Sequence, residues 1–123
     1  MDDEQRRAVA RVMSERREED GVYLYRQGEA AAAMYVIVEG KVEIVKENNG
    51  REQVIGIAGC SDVVGEMEVL VDMPRAASLR TQGDVHLLTL EAGVFHTLTH
   101  QHPDMLKRVI QLLVSKLTAV GVQ

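Results

Sequence analysis

The sequence predicts an α+β domain: a compact antiparallel barrel or sandwich of short strands between an N-terminal helix and C-terminal helices. Three observations carry this. The apolar pattern is helical and sparse before residue 20, alternates with a period of two between Gly21 and Leu90, and becomes helical again afterwards. Glycines punctuate the middle stretch at short intervals. The length of 123 residues suits one domain (1–123), since domains cluster at roughly 100–150 residues.

In the first stretch, Val9, Val12 and Met13 have helical spacing among polar residues, which predicts a helix over 2–19 with one narrow apolar stripe. Arg6, Arg7, Arg11, Arg16 and Arg17 cluster there, but Glu4, Glu15, Glu18, Glu19 and Asp20 are interleaved with them. That is the pattern of a solvated, ion-paired face. The net charge of −5 likewise argues against a phosphate-backbone partner, which needs a basic footprint, so no nucleic acid is expected.

From Gly21 the texture is that of strands. Val22 and Leu24 alternate with Tyr23 and Tyr25, and Gly28-Glu29 supplies a turn. Met34–Val38 is an apolar run broken by Gly40, after which Val42 and Ile44 alternate with Lys41 and Glu43. Asn48-Asn49-Gly50 is a hairpin signal, because both central residues of a type I′ turn need positive φ. A return strand follows over 53–57, then a loop over 59–62. Ala77–Thr81 and Val85–Leu90 are strand-like again, separated by Gln82-Gly83-Asp84. A short helix is predicted over 92–99, and Pro103 with Asp104 opens a last helix. That helix has two apolar stripes: Leu106, Ile110, Leu113, Leu117 and Val120, and Met105, Val109, Leu112 and Ala119. One stripe serves a core; the second suits a ligand or a partner, including a second copy of the chain.

Cys60 stands alone, which excludes a disulfide framework and a cysteine-based zinc site and points to a reducing compartment. Met1 is followed at once by acidic residues and no apolar run approaches 18 residues, so a cytoplasmic location without direct membrane insertion is expected. His96 and His100 share a helical face, but no third ligand completes a zinc site. His86 is alone in its strand, so the His-x-His metal motif of a cupin enzyme is missing. No Ser-His-Asp or Cys-His arrangement emerges, so the chain is expected to be non-catalytic and to need no cofactor.

The stretch with chemistry is Gly65 to Ser78. Gly65 ends the apolar pair Val63-Val64, where the backbone can turn and approach something closely. The residues after it can form a helical turn with free N–H groups, suited to an anion. Pro74 then fixes the backbone before Arg75, whose fork grips phosphate in bidentate fashion. Ala76 and Ala77 leave their N–H groups uncrowded, and Glu66 can accept from hydroxyls. A phosphate joined to a sugar hydroxyl fits such a set.

This segment resembles the phosphate-binding cassette of the cyclic nucleotide-binding domain family: Gly-Glu-(apolar)-(small)-Leu, a spacer, then Pro-Arg-(Ala/Ser/Thr)-Ala. Arg26-Gln27-Gly28-Glu29, Met34 to Val42 and Gly59 to Asp62 resemble the family at the expected distances upstream. The resemblance implies a jelly-roll-like β-roll of about eight strands over 21–90, with the cassette at 65–78, a helix over 1–20 and helices over 91–120. It implies that Arg75 pairs with the ligand phosphate and that Glu66 accepts from the ribose 2′-hydroxyl. Backbone N–H groups of Gly65, Met67, Glu68, Ala76 and Ala77 would line the phosphate. Val63, Val64 and Leu79 would wall the base, with the last helix as lid. Ala76 stands where a hydroxyl-bearing residue would bond the guanine amino group, which favours cyclic AMP over cyclic GMP. Two residues depart from the pattern: Glu68 replaces a small residue and Ser61 a frequent glycine. The implied function is a sensor that relays ligand binding through its C-terminal helix to an effector in a transporter, channel or signalling enzyme. The alternative is a degenerate, ligand-free roll acting as an interaction or dimerisation module.

Overall fold

The computed structural model describes residues 11–104. Met13–Ala92 forms one compact unit, and the described part of a second comprises Arg11, Val12 and the residues from Gly93 onward. The first unit is an antiparallel sheet of six strands: β1 (Ser14–Glu18), β2 (Tyr23–Tyr25), β3 (Ala33–Asn48), β4 (Arg51–Ala58), β5 (Val63–Val64) and β6 (Ser78–Glu91). A short helix, α1 (Glu66–Val71), lies between β5 and β6, and α2 (Ala92–Gln101) follows. The strand order is β1-β6-β3-β4, with β2 also on β6 and β5 also on β3.

The ladder between β3 and β6 is the spine, from Ala33↔Glu91 to Val45↔Ser78. It explains why six strands do the work of about eight. Gly40 interrupts the apolar alternation but not the strand; it has φ 96 and lies at the second of two register shifts, between Glu39 and Lys41. A Cβ there would stand 2.5 Å from the Asp84 carbonyl oxygen, so only glycine lets β3 bend across β6. Gly83 (φ 77) also takes the left-handed conformation within β6, with open space around it. The hairpin between β3 and β4 turns on Asn49 (φ 54) and Gly50 (φ 78), both positive as the sequence demands.

One expectation is corrected. Arg11 and Val12 are helical, but residues 14–18 are not the end of a helix; they form β1, paired from Ser14↔Thr89 to Glu18↔Val85. The Arg16 Nε–Glu18 Oε1 pair at 2.8 Å joins positions two apart, which share one face of a strand. A charged segment of neutral propensity takes the partner offered, and β6 has a free ladder edge; charged residues then protect the outer edge of the sheet. The predicted short helix is found, extended to Gln101. The last helix and its two stripes lie outside the described residues, apart from Pro103 and Asp104.

With few aromatic residues, the core is aliphatic. Ile37, Val42, Val45, Leu79 and Leu87 are fully enclosed, with Leu24, Val64 and Val85 around them. Tyr25 and Tyr35 stack at 6.3 Å. On β6, Arg80 is held by Glu43 (2.7 Å) and Glu52 (2.9 Å), residues of β3 and β4, and donates to the Tyr23 hydroxyl. The hydrogen bond it donates to Glu43 is the main reason the Arg80 guanidinium holds its proton more tightly than usual.

The turn before β5 gives a first prediction. Ser61 has φ 73, and its N–H donates to the Ile37 carbonyl (2.8 Å) while Gly59 N–H donates to Asp62 Oδ2 (2.8 Å). A left-handed residue with a side chain costs about 1–2 kcal/mol, of which the extra unfolded-state freedom of glycine returns about half. Ser61→Gly is therefore expected to stabilise the unit by about 0.5–1 kcal/mol. Thermal unfolding should show a midpoint some ~2–8 °C higher. An unchanged or lower midpoint would show that the turn carries no strain.

Candidate functional site

The cassette starts where β5 pairs with β3, Val63 opposite Val36 and Val64 opposite Tyr35. This delivers Gly65 to the sheet end in the left-handed region (φ 76, ψ 10), as the N-cap of α1. Within α1, Glu66 and Val69 turn inward and are buried, while Met67 and Val71 are exposed. Asp72, also left-handed, ends the helix, and Met73 N–H donates to the Glu68 carbonyl at 3.0 Å.

Arg75 is then clamped by its backbone and by its side chain. Its N–H donates to the Glu29 carbonyl, and its own carbonyl accepts from Gly28 N–H, both at 2.8 Å. Gln27 extends that clamp: its N–H donates to Ser78 Oγ (2.9 Å), and its side-chain amide exchanges hydrogen bonds with the Glu47 backbone. The turn at residues 26–29 thus holds the cassette against the β3–β4 hairpin.

The guanidinium is turned inward, with 1% of the side chain exposed. Nη1 donates to the Gly65 carbonyl (2.7 Å) and to Glu68 Oε1 (3.1 Å), and Nη2 donates to the Ala33 carbonyl. The plane lies over the Tyr25 ring, Cζ 3.8 Å from its centroid. Nε is buried and has no hydrogen-bond partner. Burial pushes the Tyr25 hydroxyl well above its ordinary pKa, against the lowering effect of the adjacent Arg75 cation.

Gly65, Glu68 and Arg75 therefore meet, although ten positions separate Gly65 from Arg75, and Glu66 is buried next to Gly65 in the chain. The side chain of Met67 points away from them to solvent. Ala76 is exposed and Ala77 half-buried; the Ala76 carbonyl accepts from Lys46 Nζ at 2.7 Å. Val64 and Leu79, expected to wall the base, belong to the enclosed core, and of the three only half-buried Val63 keeps appreciable surface for a ligand. Sequence reasoning missed Tyr25, Lys46 and the Ala33 carbonyl. Tyr25 had a signal in its alternation with Leu24 on β2, whereas a carbonyl ligand has none. Elsewhere, a cleft of about 460 Å³ is lined by Glu18, Glu19, Glu39 and Asp84 with Arg17 and His86. Its carboxylates would repel an anion.

The roll thus carries a glycine-started turn and a buried arginine in contact with it, with a buried glutamate next in the chain. A family model, the cyclic nucleotide-binding domain, matches residues 15–102, and the chain belongs to that family. A lysophospholipase (NTE1) of Phaeosphaeria nodorum is 33% identical over 101 residues, covering 81% of this chain and 7% of the larger protein. The chain thus spans a small fraction of the length of the curated relatives it matches. The N-terminal domain of a transcriptional regulator from Streptomyces coelicolor A3(2) aligns with a TM-score of 0.80 at 27% identity, over 98% of this chain and 87% of that one. The regulatory domain of Toxoplasma gondii PKA, solved with cAMP, has the same fold (TM-score 0.81, 24% identity, 99% of this chain and 46% of that one). Among the described residues no helix is long and apolar enough to cross a membrane.

Proposed function

We propose that this domain binds cyclic AMP at the Gly65–Ser78 cassette, with Arg75 as the phosphate anchor and Glu66 as the ribose acceptor. The observation that carries the reading is the buried Arg75 guanidinium beside Gly65, with its Nε–H left without an acceptor. Buried donors are nearly always paired, so a guanidinium with a spare enclosed N–H is poised to accept an anionic partner. Lys46, held at the Ala76 carbonyl, adds a second cation nearby. Binding would reorder the cassette and pass the change through the C-terminal helix to an effector. The matched relative named a lysophospholipase favours a lipid-hydrolysing effector over a transporter or channel.

One observation favours the second reading, a ligand-free interaction module: Arg75 is already paired with Glu68. Titration calorimetry with cyclic AMP and cyclic GMP separates the two. A binder releases or takes up heat and gains thermal stability by mass action, whereas a ligand-free scaffold does neither. Cyclic AMP is expected to bind severalfold more tightly than cyclic GMP, because Ala76 offers the guanine amino group no hydroxyl and one neutral hydrogen bond is worth about 1 kcal/mol. Ala76→Thr should narrow that gap. Equal or tighter cyclic GMP binding to the unaltered domain would refute the preference.

A further inference from the structure

We infer that Glu68 is a built-in competitor for the ligand phosphate, an affinity-setting residue that must leave Arg75 before the anion can be gripped. The inference rests on the cyclic AMP reading above and adds how the site is tuned. Glu68 lies on the first turn of α1, and its carboxylate meets Arg75 Nη1 at 3.1 Å. The Arg75 side chain is 1% exposed and that of Glu68 19%, so the carboxylate is the member of the pair that reaches solvent. A bidentate grip on phosphate takes two N–H groups along one edge of the guanidinium, and the spare Nε–H supplies only one of them. The edge formed by Nη1 and Nη2 is taken by Glu68, the Gly65 carbonyl and the Ala33 carbonyl. On the other edge Nε is buried and Nη2 is shared with Ala33. Of these acceptors the two carbonyls belong to the backbone, whereas the Glu68 carboxylate is a flexible side chain with a route to water. It also carries the charge a phosphate would duplicate on the same guanidinium. An arriving phosphate would add like charge at short range unless Glu68 swings out.

The test is calorimetric titration of cyclic AMP into the domain, Glu68→Gln, Arg75→Ala and the double variant. Glu68→Gln keeps the shape and removes the charge, and should bind about tenfold more tightly than the unaltered domain. Glu68→Ala should show a similar gain, which guards against an effect peculiar to glutamine. On the Arg75→Ala background Glu68→Gln should give no gain, because the competition is for that guanidinium. If the unaltered domain binds cyclic AMP and Glu68→Gln binds it equally or more weakly, the competitor role is wrong while the binding reading stands. A gain that persists without Arg75 would also overturn it, pointing to general charge repulsion. If neither the domain nor Glu68→Gln binds cyclic AMP, the binding reading itself fails. Binding by Glu68→Gln alone would support the inference in its strongest form, with Glu68 closing the site.

Discussion

Replacing Arg75 by alanine is expected to weaken cyclic AMP binding by about ten- to a hundredfold and to destabilise the ligand-free domain as well. The first effect follows from the role of the guanidinium: hydrogen bonds to charged groups contribute roughly 1.5–3 kcal/mol, and each 1.4 kcal/mol is about tenfold in affinity. The second follows from where the side chain lies. It ties the Gly65 and Ala33 carbonyls and the Glu68 carboxylate together beneath the Tyr25 ring. Truncation leaves buried acceptors without donors and removes the stacking partner of Tyr25, worth about 2–4 kcal/mol in all once Glu68 has relaxed into solvent. Arg75→Lys should recover little of either, since a point charge cannot span three acceptors from one plane. Urea unfolding without ligand reads the stability, and calorimetry well below the midpoint reads the affinity. An alanine variant of unchanged stability would mean that the inward guanidinium does not brace the cassette. Unchanged affinity would remove Arg75 as the anchor.

The double duty of Arg75 also shows where the sequence was informative. Some features that depend on backbone chemistry carried by particular residue types are legible: the type I′ turn at Asn49-Gly50, the glycine that starts the cassette, and Pro74-Arg75 at its end. Strand alternation located the sheet. The strand count ran high because a glycine bulge and a strand end leave the same mark in a sequence, an interrupted period of two; only the continuity of the β3–β6 ladder separates them. Residues 14–18 were misread for a different reason. Their pattern favours neither period, and pairing with the open edge of β6 decides the outcome, which is a tertiary effect. At the site, the residue types were legible but their partners were not. That Glu68 departs from the family pattern can be read directly; that its carboxylate folds onto Arg75 instead of into water depends on the orientation of α1.

The other large effect is expected at Gly65. Its φ of 76 costs a residue with a side chain about 1–2 kcal/mol wherever it occurs. Here a Cβ would also lie 2.9 Å from Arg75 Nη1, closer than such atoms pack, and 3.1 Å from Tyr25 Cε2, a tight contact. Both neighbours are held, Arg75 by three acceptors and Tyr25 by its stacking on Arg75 and Tyr35, so neither can yield without losing contacts. Gly65→Ala should therefore cost about 2–4 kcal/mol, the strain plus an overpacking term of similar size. By displacing the guanidinium it should also weaken cyclic AMP binding more than about tenfold. Gly21→Ala supplies the control. Gly21 has nearly the same φ, 77, but nothing lies within 4 Å of a Cβ there, so it isolates the strain. That variant should lose only about 1–2 kcal/mol and bind cyclic AMP as the unaltered domain does. The difference between the two alanine variants measures the crowding against Arg75. If Gly65→Ala costs no more than Gly21→Ala and binds normally, the close approach of the cassette backbone to the guanidinium is not what sets this site.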